Sequence, residues 1–158
     1  MPKRPKNPKH SKRKKLEFYQ AVGRRKEATA RVRLYPVTAG NVEIGDLKIK
    51  KGKMIVNSQP IDQYFPGQAA KVNYLEPFRT TNTIGRFTVS AKISGSGKSG
   101  QLGAFIHGSA RVLEKVKPEK LRPILKKRGF LTRDARAKER RKAGYAQKAR
   151  AKKQSPKR

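Results

Sequence analysis

The sequence predicts an α+β fold: a single small domain with one mostly antiparallel sheet covered by helices, carried between extended basic N- and C-terminal tails. Three observations predict it. Apolar residues alternate at period two in two clear stretches and recur at helical spacing in others. No repeated parallel βαβ unit links them. Charge marks the tails: residues 1–15 hold 8 Lys and Arg and no acid, residues 126–158 hold 15 against 2, and residues 16–125 hold 19 against 8. The expected division is a basic arm at 1–15, a globular body at 16–130 and an extended basic tail at 131–158.

The arm contains Pro2, Pro5 and Pro8 and only Met1 as a large apolar side chain. Nothing in it offsets the entropy of ordering, so it is expected to be disordered when free. A hairpin follows over residues 18–35. Ala28, Ala30, Val32 and Leu34 alternate there with Thr29, Arg31, Arg33 and Tyr35, making one face apolar and the other basic. Gly23-Arg24-Arg25-Lys26 reads as its connection, with glycine supplying permissive dihedrals, which places three adjacent cations on a loop.

Residues 40–57 read as another strand pair, with Val42, Ile44, Leu47 and Ile49 before Met54, Ile55 and Val56, broken at Gly45-Asp46 and Lys51-Gly52. Residues 61–65 suggest a helical turn. Residues 68–75 suggest a longer helix ended by Pro77, which has no N–H for the helical ladder. The clearest strand is 84–94, with Phe87, Val89, Ala91 and Ile93 on one face and Arg86, Thr88, Ser90 and Lys92 on the other. Its cover is expected to be the next element, where Leu102, Phe105, Ile106, Ser109, Val112, Leu113 and Val116 form an amphipathic stripe. Pro118 opens a final helix through Leu121, Ile124 and Leu125, and Gly129 follows its last turn of Lys126, Lys127 and Arg128. The helix dipole is worth only about 0.3–1 kcal/mol, too little to account for three cations there.

Composition narrows the function. Of 158 residues, 42 are Lys or Arg and 10 are Asp or Glu, a formal net charge of +32 that repels itself in any compact free monomer. Only 34% of residues are hydrophobic, and the mean hydropathy is -0.89, so a core can cover only part of the chain. A polyanionic partner is implied. Nucleic acid leads, because clustered Lys and Arg gain free energy by releasing counterions condensed on a phosphate backbone. A membrane partner would need a basic amphipathic helix with large apolar residues opposite its charges, and none is found. The absence of cysteine excludes disulfides, thiolate metal sites and cysteine nucleophiles. No apolar run has the length of a secretory signal or a membrane span, and the Lys-rich, Pro-punctuated start is unlike an Arg- and Ser-rich transit peptide.

Catalytic chemistry finds little support. Gly95, Gly97 and Gly100 formally satisfy GxGxxG, but a dinucleotide fold needs a following strand that ends in an acid about 20 residues on, and residues 118–128 read as a helix instead. Gly97-Lys98-Ser99 resembles the end of a phosphate-binding loop, yet Lys92 stands where that motif requires glycine. What survives is a Gly-rich helix N-terminus with Lys98, whose free N–H groups suit an anion such as an RNA phosphate. His10 and His107 have no recognisable ligand partners. His107 reads as an exposed helix residue, or as a point of close RNA approach beside Gly103 and Gly108. Asp62, Glu76 and Glu114 are isolated acids without a nucleophile or a second carboxylate nearby. No enzyme activity, catalytic residue, metal or cofactor is expected.

Four blocks carry a family resemblance. Tyr19-Gln20-Ala21-Val22-Gly23-Arg24-Arg25-Lys26-Glu27-Ala28-Thr29-Ala30-Arg31-Val32 resembles the opening signature of the small-subunit ribosomal protein nine family. Ile61-Asp62-Gln63-Tyr64-Phe65, the stretch from Ser94-Gly95-Ser96-Gly97 through Gly108, and Leu121-Arg122-Pro123-Ile124-Leu125-Lys126-Lys127-Arg128-Gly129-Phe130-Leu131-Thr132-Arg133-Asp134 follow in the family's order. The resemblance implies a domain like the second domain of ribosomal protein five, bound to ribosomal RNA in the head of the small subunit beside neighbouring head proteins. It also implies a cytoplasmic or organellar ribosome, and a C-terminal tail whose final Lys157 and Arg158 contact peptidyl-site transfer RNA. Two departures stand out: residues 37–53 exceed the family's usual short turn, and Gln154-Ser155-Pro156-Lys157-Arg158 lacks the aromatic that commonly precedes Ser-Lys-Arg and inserts Pro156.

With that partner, the expected RNA-binding residues are Arg24, Arg25 and Lys26 on the connection, Arg31, Arg33, Arg86 and Lys92 on the basic face, Lys98 at the helix start, and Lys126, Lys127 and Arg128 at the helix end. Along the tail they are Arg133, Arg136, Arg140, Arg141, Lys142, Lys148, Arg150, Lys152 and Lys153. Residues 133–153 have only Tyr145 as a large apolar side chain, so a helix there would bury almost no stripe, and the tail is expected to order on RNA. The competing readings are a generic cationic chaperone or antimicrobial polypeptide and a nucleotide-dependent enzyme.

Overall fold

The computed structural model describes residues 17–36, 40–44, 47–145 and 148–150. The arm, the break at Gly45-Asp46, and the tail residues Lys152, Lys153, Lys157 and Arg158 lie outside them. The elements run β1 (Tyr19–Arg25), β2 (Ala28–Pro36), β3 (Asn41–Ile44), β4 (Leu47–Lys50), β5 (Met54–Val56), β6 (Gln59–Pro60), α1 (Ile61–Tyr64), α2 (Gln68–Thr80), β7 (Phe87–Ser94), α3 (Lys98–Val116) and α4 (Pro118–Lys127). Five strands form the main sheet in the order β1-β2-β7-β5-β6, antiparallel throughout except for β5 beside β7. The α+β class stands, with a mixed sheet.

Residues 40–57, read as one strand pair, divide between two sheets. β3 and β4 pair with each other, setting Val42 opposite Ile49. Met54-Ile55-Val56 instead joins the main sheet beside β7, because a short continuous apolar run suits an interior strand covered on both faces.

The first hairpin forms, but its turn lies later than the glycine suggested. Arg24 and Arg25 are the last residues of β1, paired with Thr29 and Ala28, and the turn is Lys26-Glu27 with Lys26 at φ 49°. Gly23 therefore serves packing rather than turning. A Cβ there would lie 2.0 Å from the Ala104 carbonyl oxygen and 2.2 Å from the Gly108 nitrogen. Gly108 faces it, with its own Cβ position 2.8 Å from Val32 Cγ2. This paired approach seats α3 over β1 and β2 rather than chiefly over β7, the strand that precedes it. Ala30, Val32 and Leu34 of β2, Val89 of β7, Phe105, Val112 and Leu113 of α3, and Leu125 of α4 share one buried cluster. Each large apolar side chain so buried stabilises the fold by about 1.5–3 kcal/mol before entropy is counted.

Helix α2 runs through Pro77 to Thr80 instead of stopping before it. The missing N–H and the ring clash cost about 3 kcal/mol. Burial of Tyr74, Pro77 and Phe78 on the core side offsets that cost. The helix then closes through Thr81, whose hydroxyl donates to the Pro77 carbonyl at 2.8 Å. Helix α4 ends as the glycine predicted. Gly129, at φ 73°, donates to the Lys126 carbonyl at 3.0 Å, and Phe130 donates to the Leu125 carbonyl at 3.1 Å, a Schellman closure.

Candidate nucleic-acid interface

The sheet face opposite α3 carries the first group of cations. Arg31 on β2 stands directly across from Lys92 on β7, and both are exposed. Arg33, two residues along, is held by Gln20, which accepts from its Nε at 2.9 Å, and its guanidinium lies 4.7 Å from the centre of the Phe18 ring. Arg86 precedes β7 and rests 5.8 Å from the Phe87 ring centre. It lines a concavity of about 640 Å³ with Lys117 and Lys120, which the sequence analysis did not single out. The strand period placed Arg31, Arg33 and Lys92 together, while the group at Arg86 depends on where the α3–α4 junction falls.

A second row covers the free edge of β1. Arg111 donates to the Val22 carbonyl at 2.5 Å, Lys115 donates to the Gln20 carbonyl at 2.8 Å, and the Arg24 backbone N–H donates to His107 Nδ1 at 3.2 Å. The three side chains are four residues apart on α3, so one helix face satisfies an edge strand that would otherwise offer unpaired groups. His107 is thus half-buried and hydrogen-bonded, not a plain exposed helix residue. Its pKa is lowered, first by burial and then by the charge of Arg111, which favours the neutral ring and an Nδ1 free to accept. The i, i+4, i+8 spacing was visible in the sequence, but the carbonyls it serves were not.

The root of the tail is tied down by an acid that the sequence analysis left aside. Asp134 pairs with Arg25 and, at 2.7 Å, with Arg136. Hydrogen bonds from the Arg136 side chain and backbone, then from Arg25, hold the Asp134 carboxyl well below the usual carboxylate range. The stem of Arg25 crosses Gly103, where a Cβ would lie 2.2 Å from Arg25 Cδ. Beside this pair a hollow of about 380 Å³ is lined by Arg24, His107, Ser99, Asn73 and Phe130. From Arg133 to Lys142 the chain has no helix or strand. It carries Arg133, Arg140 and Lys142 as exposed side chains, with Arg141 and Lys148 also exposed. Arg150 is engaged by Glu139, whose Oε2 accepts from its Nε at 2.9 Å.

Lys98 begins α3 but does not point freely from it. Its Nζ lies 3.5 Å from the centre of the Tyr64 ring and donates to the Tyr64 carbonyl at 3.3 Å. Tyr64 in turn donates to Gln101 Oε1 at 2.8 Å, and Gln101 reaches back to the Gly95 carbonyl at 3.1 Å, bracing the glycine-rich loop. Lys126, Lys127 and Arg128 are exposed around the end of α4. The cations therefore form several groups around the body, an arrangement suited to a large, winding polyanion rather than to one small ligand.

The family model described as ribosomal protein S9/S16 matches residues 23–158. The small ribosomal subunit protein uS9 of Anaeromyxobacter sp. (strain K) is 43% identical over 129 residues, covering 82% of this chain and 88% of that protein. The protein of the same name from Cutibacterium acnes is 45% identical over 124 residues, covering 78% of this chain and 64% of that protein.

Proposed function

Because this chain belongs to the ribosomal protein S9/S16 family, whose members are structural and non-enzymatic, we propose that it binds small-subunit ribosomal RNA in the subunit head and extends its tail to peptidyl-site transfer RNA. Its place is the ribosome, and the reading puts that ribosome in the cytoplasm. The observation that carries the RNA reading is the sheet face of Arg31, Arg33 and Lys92. Among the described residues none of the three forms an ion pair with an acid, and they are set on strands rather than on flexible loops. Phosphate contacts from such a rigid platform fix register and orientation on the RNA. Arg24, Lys26, Lys98, the cluster at Lys126 to Arg128, and the tail from Arg133 to Lys153 extend the same contact. Arg25 contributes chiefly by anchoring the tail through Asp134.

Lys157 and Arg158 are the residues assigned to transfer RNA; they lie outside the described residues. The support for that assignment is the family's tail pattern and the direction of charge along the chain.

Equilibrium binding of the full chain to small-subunit ribosomal RNA across a salt series tests the first part. Removing three phosphate contacts in Arg31→Ala, Arg33→Ala, Lys92→Ala should flatten the slope of log K against log salt by about 2 to 3. An unchanged slope refutes the sheet face. For the second part, subunits carrying a chain without Lys157 and Arg158 should release peptidyl-site transfer RNA faster at matched salt. Equal retention refutes the tail assignment.

A further inference from the structure

One region of this strongly cationic chain is nearly neutral. Residues 34–78 contain 5 Lys, no Arg and 4 acids, a net charge of +1 in a chain of +32. Within that stretch β4, β5, β6, α1 and α2, with the segment before β7, line a groove of about 560 Å³ whose charged residues are Lys48, Lys50, Lys53, Lys71 and Asp62. Its floor includes Ile61 and Tyr74, both buried. Its rim holds two large apolar side chains left in solvent, Leu47 at 37% and Ile84 at 54% exposure.

The charges in the groove divide into satisfied and unsatisfied ones. Asp62 accepts from the Tyr74 hydroxyl at 2.6 Å and lies 3.9 Å from Lys71, and Lys48 lies 3.5 Å from Glu43. Lys50 and Lys53 form no ion pair among the described residues. β3 and β4 pair only with each other among the described residues, so each keeps an edge without a strand neighbour.

We propose that this groove is a protein-docking surface, which receives an extended segment of a neighbouring protein carrying apolar side chains for Leu47 and Ile84 and carboxylates for Lys50 and Lys53. The inference rests on membership of the small subunit and names one face by which the chain meets another protein there. RNA is the poorer occupant. The surfaces assigned to RNA are rich in arginine, whose planar fork matches phosphate, whereas this groove has none and exposes apolar area that phosphate does not cover. A second copy is poorer still, because it would bring its own +32 charge and its own lysines against these.

The test uses the full chain in purified, salt-washed small subunits, with a benzophenone amino acid placed at Ile84 and, separately, at Arg31. Position 84 should cross-link to a polypeptide segment in which apolar residues adjoin Asp or Glu, as read by mass spectrometry, while position 31 cross-links to ribosomal RNA. Cross-linking of position 84 to RNA or to a second copy, or its failure to cross-link, overturns the inference with the subunit reading intact. Absence of the chain from the particle overturns both. Ile84→Ser and the double change Lys50→Glu, Lys53→Glu should each lower retention of the identified partner about tenfold, as expected for removal of a principal interface contact. Both sites are at the surface, so thermal unfolding of the free chain should be unchanged. Unaltered retention in the double variant overturns the carboxylate part of the assignment.

Discussion

Gly23→Ala is a one-carbon change whose cost can be worked from the packing of α3 on β1. The added Cβ would meet the Ala104 oxygen at 2.0 Å and the Gly108 nitrogen at 2.2 Å, whereas ordinary contact begins at 3.4 Å. Helix α3 must therefore withdraw locally by about 1.4 Å, since both obstructing atoms are backbone and no side chain can rotate away. Overpacking of this kind costs about 1–3 kcal/mol. Withdrawal also loosens Phe105, Val112 and Leu113 in the core and stretches the bonds to Gln20, Val22 and Arg24 along the β1 edge, each worth about 0.5–1.5 kcal/mol. A total near 3 kcal/mol should lower the melting temperature by roughly 6–12 °C for a chain of this size. The assay is thermal unfolding of the full chain followed by far-ultraviolet circular dichroism, with Gly97→Ser as the control. Gly97 has open space around its Cβ position and sits at the N-cap of α3, where serine is favoured, so the control should unfold no earlier than the parent. Ala is intrinsically better than Gly in a strand by about 0.5–1 kcal/mol, so a loss below about 1 kcal/mol would refute the close-approach argument.

Three further predictions concern buried polarity and charge. Thr88 is fully buried and its hydroxyl has no partner within the described residues, so Thr88→Val should raise stability by about 1 kcal/mol in denaturant unfolding, and a loss would show that the hydroxyl is satisfied. His107 has a folded pKa below its unfolded value near 6.5, so its contribution is fully present above about pH 6.5 and lost as pH falls toward the folded pKa. Protonation would also remove the acceptor for Arg24 and add a charge beside Arg111 and Arg133. The difference in melting temperature between the parent and His107→Gln should therefore change through that window, and parallel pH profiles would contradict it. Asp134→Asn should leave the melting temperature nearly unchanged but raise amide exchange around residues 132–136. In the parent, the Asp134 carboxyl should remain ionised below about pH 3.9, where an ordinary aspartate is half protonated, as read from its carbon chemical shift.

Strand and helix identity were legible in residues whose pattern repeats over several turns or pleats. Ala28, Ala30, Val32 and Leu34 needed only period two, and the stripe from Leu102 to Val116 needed only helical spacing, because each pattern must bury one face whatever covers it. The end of α4 was equally local, since a glycine at positive φ closes a helix through its own preceding carbonyls. The same local logic failed at Pro77, where burial of Tyr74 and Phe78 outweighed a missing hydrogen bond, and at Gly23, whose role depends on a helix about 80 residues away.

Charge and pattern in the sequence alone determined an α+β body and its strongly cationic character, because net charge and periodicity are sums over residues and do not depend on which segments meet. The tertiary structure decided the rest. It set Arg31 beside Lys92, tied Arg25 to Asp134, covered the β1 edge with His107, Arg111 and Lys115, and left Leu47 and Ile84 exposed on a groove without arginine. Each of these is a contact between residues far apart in the chain, governed by how closely two backbones can approach, and no local pattern encodes that distance.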